Sequence, residues 1–242
     1  HPILDNFFKA SKDFNFNFNK QLNSSSEDQV GHYNVNIYKG LRNSSAKSFL
    51  KPIQNNPNLT ILKNTEVLKL NFKDNKISSL EIKHKSKILK IKPKIGTILS
   101  SGSIMTPYLL LKSGIGNAND LKQLSIPVSL HSPHVGKNFQ DHLGLDYLYK
   151  THLPTLNRDL GTWPGRIQSF LRYVYNRKGP LSLSLNQGGG YINWKSLDPY
   201  PNIQLYFNPL TNSVTFKDKR PLLNTDKFNG FIIGFNSCRP KS

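Results

Sequence analysis

Two short stretches concentrate residues whose types and spacing suit a site. Residues 102–116, GSIMTPYLLLKSGIG, open with small side chains, supply a helix and stop it with glycine. Residues 134–142, HVGKNFQDH, crowd Asn138, Gln140, Asp141 and His142 behind Gly136. Ser100, Ser101, Gly102 and Ser103 have almost no side-chain bulk, so another backbone or a flat ligand can come close. Thr106 suits an N-cap, and Pro107 suits the first helical position, where its missing N–H is harmless. Gly114 suits the left-handed residue that ends a helix. The preceding IGTILSSGS reads as a short buried strand feeding a tight turn. Strand, small-residue crossover and helix together form an α/β edge of the kind dinucleotides occupy. A packing turn without a ligand satisfies the same pattern. His131 and His134 have a spacing a metal could use, but no further ligands follow, and no metal site is expected.

The elements that must position these stretches follow from periodicity. Ile3, Leu4, Phe7, Phe8 and Ala10 have the spacing of an amphipathic helix. The polar, interrupted run over residues 15–31 reads as an extended surface loop. NSSAKSFLKPI starts a helix capped by Ser44 or Ser45, with Ala46, Phe49 and Leu50 on one face. LTILKN and EVLKLNFK read as strands, the turn over residues 73–76 as a hairpin, and KISSLEIKH and SKILKIK as further antiparallel strands. NANDLKQLSIPVSL gives a second short helix and an extended stretch. After Tyr149 the texture changes to long loops and an aromatic helix whose Ile167, Phe170, Leu171, Val174 and Tyr175 form a stripe expected in the core. NQGGGYINW, NIQLYFNP and FNGFIIGFNSC read as strands of one sheet. The expected class is α/β and α+β, with a boundary near Lys150 beyond which residues 150–242 hold a mainly antiparallel sheet and helices.

Composition narrows the function classes. The 242 residues carry a formal charge of +19, which would draw the chain to nucleic acid or an anionic surface. Its lysines are scattered rather than gathered on one helix face. The densest run, residues 83–94, alternates with Ile and Leu as a half-exposed strand pair does. No aromatic-basic RNA motif or DNA-reading helix is present, so no specific nucleic-acid partner is expected. The single cysteine, Cys238, excludes an intrachain disulfide and a cysteine-cluster metal site. No apolar run is long enough to span a bilayer and no signal-peptide pattern opens the sequence, so the expected location is the cytoplasm, with room for association at a membrane. His1 in place of Met, and the closing RPKS, give the chain the look of an internal stretch.

In order along the chain, GLRNSSAKSFLKPIQNNPNLTILKNTEVLKL, SGSIMTPYLLLKSGIG and VGKNFQDH resemble the glucose–methanol–choline (GMC) oxidoreductases, flavoenzymes that oxidise alcohols. NQGGGYI, PNIQLYFNPL and FNGFIIGFNSCRP resemble cap-domain segments of bacterial members related to choline dehydrogenase. The resemblance runs nearly end to end, with Phe139 standing where the family has leucine. It implies that residues 1–149 are part of a Rossmann-like region with FAD as cofactor, Val67 touching the adenine end through its backbone and Ser101 and Gly102 near the dinucleotide. It places Tyr206 and Asn208 of the cap beside an alcohol substrate. An ordinary strand residue is the alternative for Val67, and a core aromatic for Tyr206. Asn138 and His142 would lie where the FAD-binding region (residues 1–149) hands over to the substrate-binding cap (residues 150–242), as loop supports or as cofactor contacts.

The family's glycine-rich pyrophosphate loop and its catalytic histidine motif do not occur in these 242 residues, so the sequence assigns no catalytic residue. The resemblance implies hydride transfer from an alcohol carbon to flavin, with oxygen or a quinone as the final acceptor. Members that oxidise choline place a carboxylate in the segment matching NQGGGYI. Here that segment offers Gln187 and three glycines without an acid, which favours a neutral alcohol. The alternatives are a non-catalytic, cap-like or degenerate binding protein and, with less support, a basic nucleic-acid-binding protein.

Overall fold

The computed structural model describes residues 1–22, 28–74, 76–195, 199–217 and 220–240. The first stretch holds helix α1 (Ile3–Ser11), strands β1 (Asn17–Phe18), β2 (Gln29–His32), β3 (Ile37–Tyr38) and β4 (Leu41–Arg42), a π-helical turn (Ala46–Leu50) and a single turn, α2 (Lys51–Ile53). Next come β5 (Thr65–Lys73), β6 (Lys76–His84), β7 (Lys87–Ile91), α3 (Gly102–Lys112), β8 (Ile115–Gly116), α4 (Ala118–Gln123) and β9 (Leu130–His131). The remainder holds β10 (Gly144–Lys150), α5 (Leu156–Leu160), α6 (Trp163–Asn176), β11 (Gly188–Ile192), β12 (Ile203–Asn208), β13 (Asn212–Lys217), β14 (Arg220–Thr225) and β15 (Gly230–Ser237).

These elements form two compact units, one of residues 1–53 with 142–241 and one of residues 54–141. The grouping does not follow a linear cut near residue 150, because β2 pairs with β11 and β10 pairs with β15. The first unit is built on a six-stranded sheet in the order β1-β2-β11-β12-β15-β10, antiparallel except for β1 beside β2. The apolar stripe of α1 lies on one face of it. Ile3, Leu4 and Phe8 pack with Val30 and Phe207, flanked by Phe7, Phe231 and Ile233. Phe7 and Phe207 have ring centroids 5.2 Å apart. A Cβ on Gly188 would stand 3.1 Å from the Leu4 methyls, so a glycine at this position lets the helix close on the sheet.

The end of that sheet is tied by a buried polar knot. Asn157, 1% exposed, donates from Nδ2 to the Thr211 carbonyl at 2.9 Å, Thr211 Oγ1 at 3.1 Å and the Asp226 carbonyl at 3.1 Å. Its Oδ1 accepts from the Thr211 amide and the Thr155 hydroxyl, each at 3.0 Å. This one side chain joins the start of α5 to the segments leaving β12 and entering β15.

In the second unit β5, β6 and β7 form an antiparallel meander. Asp74 takes a left-handed φ of 50° at the expected hairpin, while Asn75 lies outside the described residues. Helix α3 ends as its glycine requires, with Gly114 at φ 88°. Asn117 caps α4 by accepting from the Asn119 amide at 2.9 Å.

Several expectations change. Residues 29–31 of the expected loop, with His32, form β2, with Val30 fully buried, because Gln29, Val30 and Gly31 find partners on the distant β11. LTILKN before β5 and the residues 95–99 before α3 are not strands. Ile95 and Ile98 are 104% and 92% exposed, and no described residue supplies the flanking strands that a central parallel strand needs. Helix α3 begins at Gly102, so Thr106 and Pro107 lie inside it. Thr106 still closes the entry, since its Oγ1 accepts the Ser101 N–H at 3.1 Å. The stripe on α6 faces outward rather than into the core: Phe170 is 57% exposed and Tyr175 81%. The helix turns Gly165, Ser169 and Tyr173 inward instead, the small Gly165 and Ser169 allowing close approach. No helix among the described residues is long and apolar enough to cross a membrane.

Candidate functional site

The structure brings the two stretches singled out by the sequence into one cleft. Ser103, Ile104, Tyr108 and Leu111 of α3 face Gly136, Asn138 and Phe139 across a hollow of about 470 Å³. Gly136, at φ 78°, allows the close approach, because a Cβ there would lie 3.1 Å from Leu111 Cδ1. Asn138 is also left-handed, at φ 57°, a region its short amide tolerates.

The start of α3 suits an anion. Ser101, its N-cap, makes no side-chain bond to the helix, so the first amides keep free N–H groups at the positive end of the helix dipole. Gly102 has φ 89°, and a Cβ built on it meets nothing within 4 Å. Free donors beside open backbone fit a dinucleotide such as FAD. Val67 lies on β5, 38% exposed, where the ladder steps from Val67–Ile82 to Lys69–Glu81 and leaves Leu68 as a bulge. Bulges free main-chain groups from the ladder and recur beside sites. No hydrogen bond joins Val67 to Ser101 or Gly102; α3 meets β5 through Ser113, at its opposite end.

In the sheet unit, strand alternation puts Gln204, Tyr206 and Asn208 on the face opposite α1. One row of the sheet reads Gly31, Gly189, Tyr206, Gly234, Asp146 from β2 to β10. Three glycines flatten the floor around Tyr206. Its hydroxyl crosses Gly234 and donates to Asp146 Oδ1. A Cβ on Gly234 would overlap both the Tyr206 ring and that carboxylate oxygen. Burial, with the Asp146 carboxylate adding to it, pushes the Tyr206 phenol up to about 12. Gln204 donates to the hydroxyls of Tyr33 at 3.2 Å and Tyr191 at 3.3 Å, beside a hollow of about 320 Å³. Tyr33 donates to the Leu205 carbonyl, and burial raises its phenol far above the ordinary value. Asn208 Oδ1 is enclosed with no hydrogen-bond partner among the described residues, as is Asn236 Oδ1 on the same face.

Of the expected positions, Tyr206 and Asn208 share a face, and Ser101 and Gly102 share a helix start. His142 Nδ1 sits against the Ser237 carbonyl and His131 Nδ1 accepts the Ala118 N–H at 3.1 Å, both bonds that hold loops. Sequence reasoning missed Asp146. The available signal was one acid in the alternating strand GLDYLYK, whose partner glycine is distant in sequence. The absence of an acid in NQGGGYI therefore gives no ground for preferring neutral alcohols, because the carboxylate beside Tyr206 comes from β10.

A mixed α and β fold with a mainly antiparallel sheet, carrying an anion-ready helix start and a separate polar sheet face, is that of the FAD-binding oxidoreductases. The chain belongs to the GMC oxidoreductase family, whose model matches residues 1–144. It is 30% identical over 218 residues to an oxygen-dependent choline dehydrogenase of Staphylococcus saprophyticus, covering 87% of this chain and 37% of that protein. It is 31% identical over 212 residues to an alcohol dehydrogenase [acceptor] of Pseudomonas putida, covering 86% and 38%. The chain thus spans less than two-fifths of these relatives. Among solved structures, formate oxidase of Aspergillus oryzae matches with a TM-score of 0.84 at 22% identity, over 100% of this chain and 45% of that one. Pyridoxine 4-oxidase of Mesorbium loti matches with a TM-score of 0.78 at 22% identity, over 99% and 42%.

Proposed function

We propose that this chain is part of an FAD-dependent oxidoreductase acting on the CH–OH group of an alcohol. The observation that carries the reading is the sheet face of Gln204, Tyr206 and Asn208, polar and glycine-floored within a GMC family fold. Ser101 and Gly102 hold the dinucleotide through the free amides of α3, and the bulged backbone at Val67 takes its adenine end. When bound, FAD supplies the two-electron acceptor for the hydride of the alcohol carbon. Tyr206 and Asn208 orient the substrate: a phenol held neutral donates and accepts, and Asn208 stands two residues along the same face of the strand. Residues 1–149 carry the family-matched FAD-binding region and residues 150–242 most of the substrate cap, whose sheet also takes in β2 and β10 from the earlier stretch.

Oxygen or a quinone takes the electrons onward. The location is the cytoplasm, with association at an anionic membrane surface through α6. Its outward stripe and its arginines, with no acid between Trp163 and Lys178, support that reading. The test is anaerobic addition of alcohols to the full-length flavoprotein, followed by its visible spectrum. Bleaching of the flavin band by a primary alcohol is expected, and a band that no alcohol bleaches overturns the proposal.

A further inference from the structure

We infer that the hollow between the β3–β4 hairpin and the C-terminal end of α6 is a binding site for a phosphate monoester. It measures about 670 Å³, room for a small organic ligand. Its walls lie within one unit, on residues 35–45, on Tyr173 and on residues 181–184. The hairpin tip turns through Lys39 and Gly40, at φ 50° and 70°, and closes on the helix end. A Cβ on Gly40 would overlap the Arg177 carbonyl oxygen, so glycine lets the two backbones meet. Arg177 is the left-handed residue that ends α6, and its guanidinium lies 4.9 Å from the Tyr173 ring centroid. One guanidinium, that of Arg42, therefore stands in the wall, and a second is stacked on a residue of the wall.

Two features set this hollow apart from the basic surface at large. The first is its field. None of the 14 Asp and Glu falls in residues 29–65 or 160–197, the two stretches that supply every wall residue. Those stretches do carry Lys39, Arg42, Arg177 and Lys178, so an anion entering here meets attraction without local repulsion. The second feature is the set of donors. Arg42 supplies a planar fork, Ser45 and Ser184 supply hydroxyls, and Asn43 supplies an amide. Among the described residues the side chains of Asn43, Ser45 and Ser184 make no hydrogen bond; Ser45 stands at an N-cap without capping. Donors at four positions around one hollow match the three free oxygens of a phosphate ester better than the two of a carboxylate. Tyr173, Val35 and Leu183 add an apolar wall for the organic body of the ester.

The test is calorimetric titration of the full-length protein with glycerol phosphate, beside sedimentation with phosphatidylcholine vesicles that carry phosphatidic acid. Saturable binding is expected in at least one arm, and Arg42→Gln should weaken it about tenfold or more, because the charged fork is lost. Arg42 is exposed, so R42Q should melt with the wild type, which checks that the fold is intact. Lys122→Gln removes a cation from α4 in the other unit and should leave binding unchanged. Saturable binding of glycerol phosphate assigns a free ester as the ligand. Binding to the vesicles alone, lost in R42Q, assigns the phosphate of a lipid headgroup. No saturable binding in either arm overturns the inference. Equal weakening by R42Q and K122Q also overturns it, since diffuse charge would then be the cause. Succinate bound as tightly as glycerol phosphate overturns the choice of phosphate.

Discussion

Leu70 donates its backbone N–H to Ser113 Oγ at 2.9 Å, and this bond fastens β5 to the C-terminal end of α3. Ser113 is 2% exposed and its hydroxyl also donates to the Leu109 carbonyl at 2.6 Å. The same side chain therefore closes the helix and docks it. Replacing Ser113 with alanine leaves the buried Leu70 N–H unpaired, which costs about 2 kcal/mol. A denaturant titration of S113A should show a lower midpoint, equivalent to that loss of free energy, without a change in slope. A variant as stable as the wild type would mean that water reaches the site.

Asn157 predicts a larger effect by the same logic. Its amide makes bonds to Thr155, Thr211 and Asp226 inside a fully buried knot. Asn157→Ala removes all of them at once and should destabilise the sheet unit by about 3 kcal/mol or more. Aspartate keeps the acceptor and loses the donors, so N157D should be intermediate at best. Thermal melts of the two variants rank them, and equal melting temperatures would exclude the knot as a major tie.

Gly234→Ala addresses the Tyr206–Asp146 pair. The added methyl overlaps the Tyr206 ring and Asp146 Oδ1, so the two side chains must separate. Burial and the nearby carboxylate together raise the Tyr206 phenol to about 12, and both causes weaken in the variant. Tyrosinate absorbance, taken as a difference against Tyr206→Phe, should then show titration at lower pH. The sign for stability follows. A raised phenol contributes stability that is complete below its unfolded value of about 10 and is lost as pH climbs toward 12. G234A should melt with less dependence on pH across that window.

How much of this was legible in the sequence depends on the range of the contacts. Helix α1, the β5–β6–β7 meander and the β11, β12 and β15 strands repeat every 3.6 or 2 residues, a signal contained in each segment. The cleft between α3 and Gly136–Phe139 was half legible, because its glycines and small residues mark close approach without naming the partner. Asp146 beside Tyr206 was not legible, since it depends on the register of three strands drawn from distant parts of the chain. Periodicity likewise finds the apolar stripe of α6 but is blind to which way it faces.

That stripe gives a prediction of its own. Trp163, Ile167, Phe170 and Val174 are at least half exposed, and Arg166, Arg172, Arg177 and Lys178 flank them. A basic helix with an exposed apolar face partitions into the interface of anionic bilayers. The full-length protein should sediment with phosphatidylserine vesicles and be released by salt. Replacing Ile167 and Phe170 with serine should weaken the association by about tenfold, given the apolar area withdrawn. Sedimentation unaffected by these changes would assign the charge, rather than α6, as the attachment.

Gly102 separates a packing role from a cofactor role, the choice that its small-residue turn left open. In a packing turn a glycine is required because a Cβ would strike a neighbour; at Gly102 a Cβ meets nothing within 4 Å. What demands glycine is the φ of 89° at the first residue of α3, and alanine there costs about 1 kcal/mol of backbone strain. If the turn only packs, Gly102→Ala should lower stability by that amount and leave flavin content unchanged. If the amides after Ser101 hold the anionic centre of FAD, a small rotation of the helix entry misaligns several charge-assisted bonds together. The full-length G102A protein should then lose flavin at least tenfold more readily than its modest destabilisation implies. The measurement pairs an apoprotein melt with flavin retention after gel filtration. Full retention in a destabilised variant would remove Gly102 from the cofactor contacts.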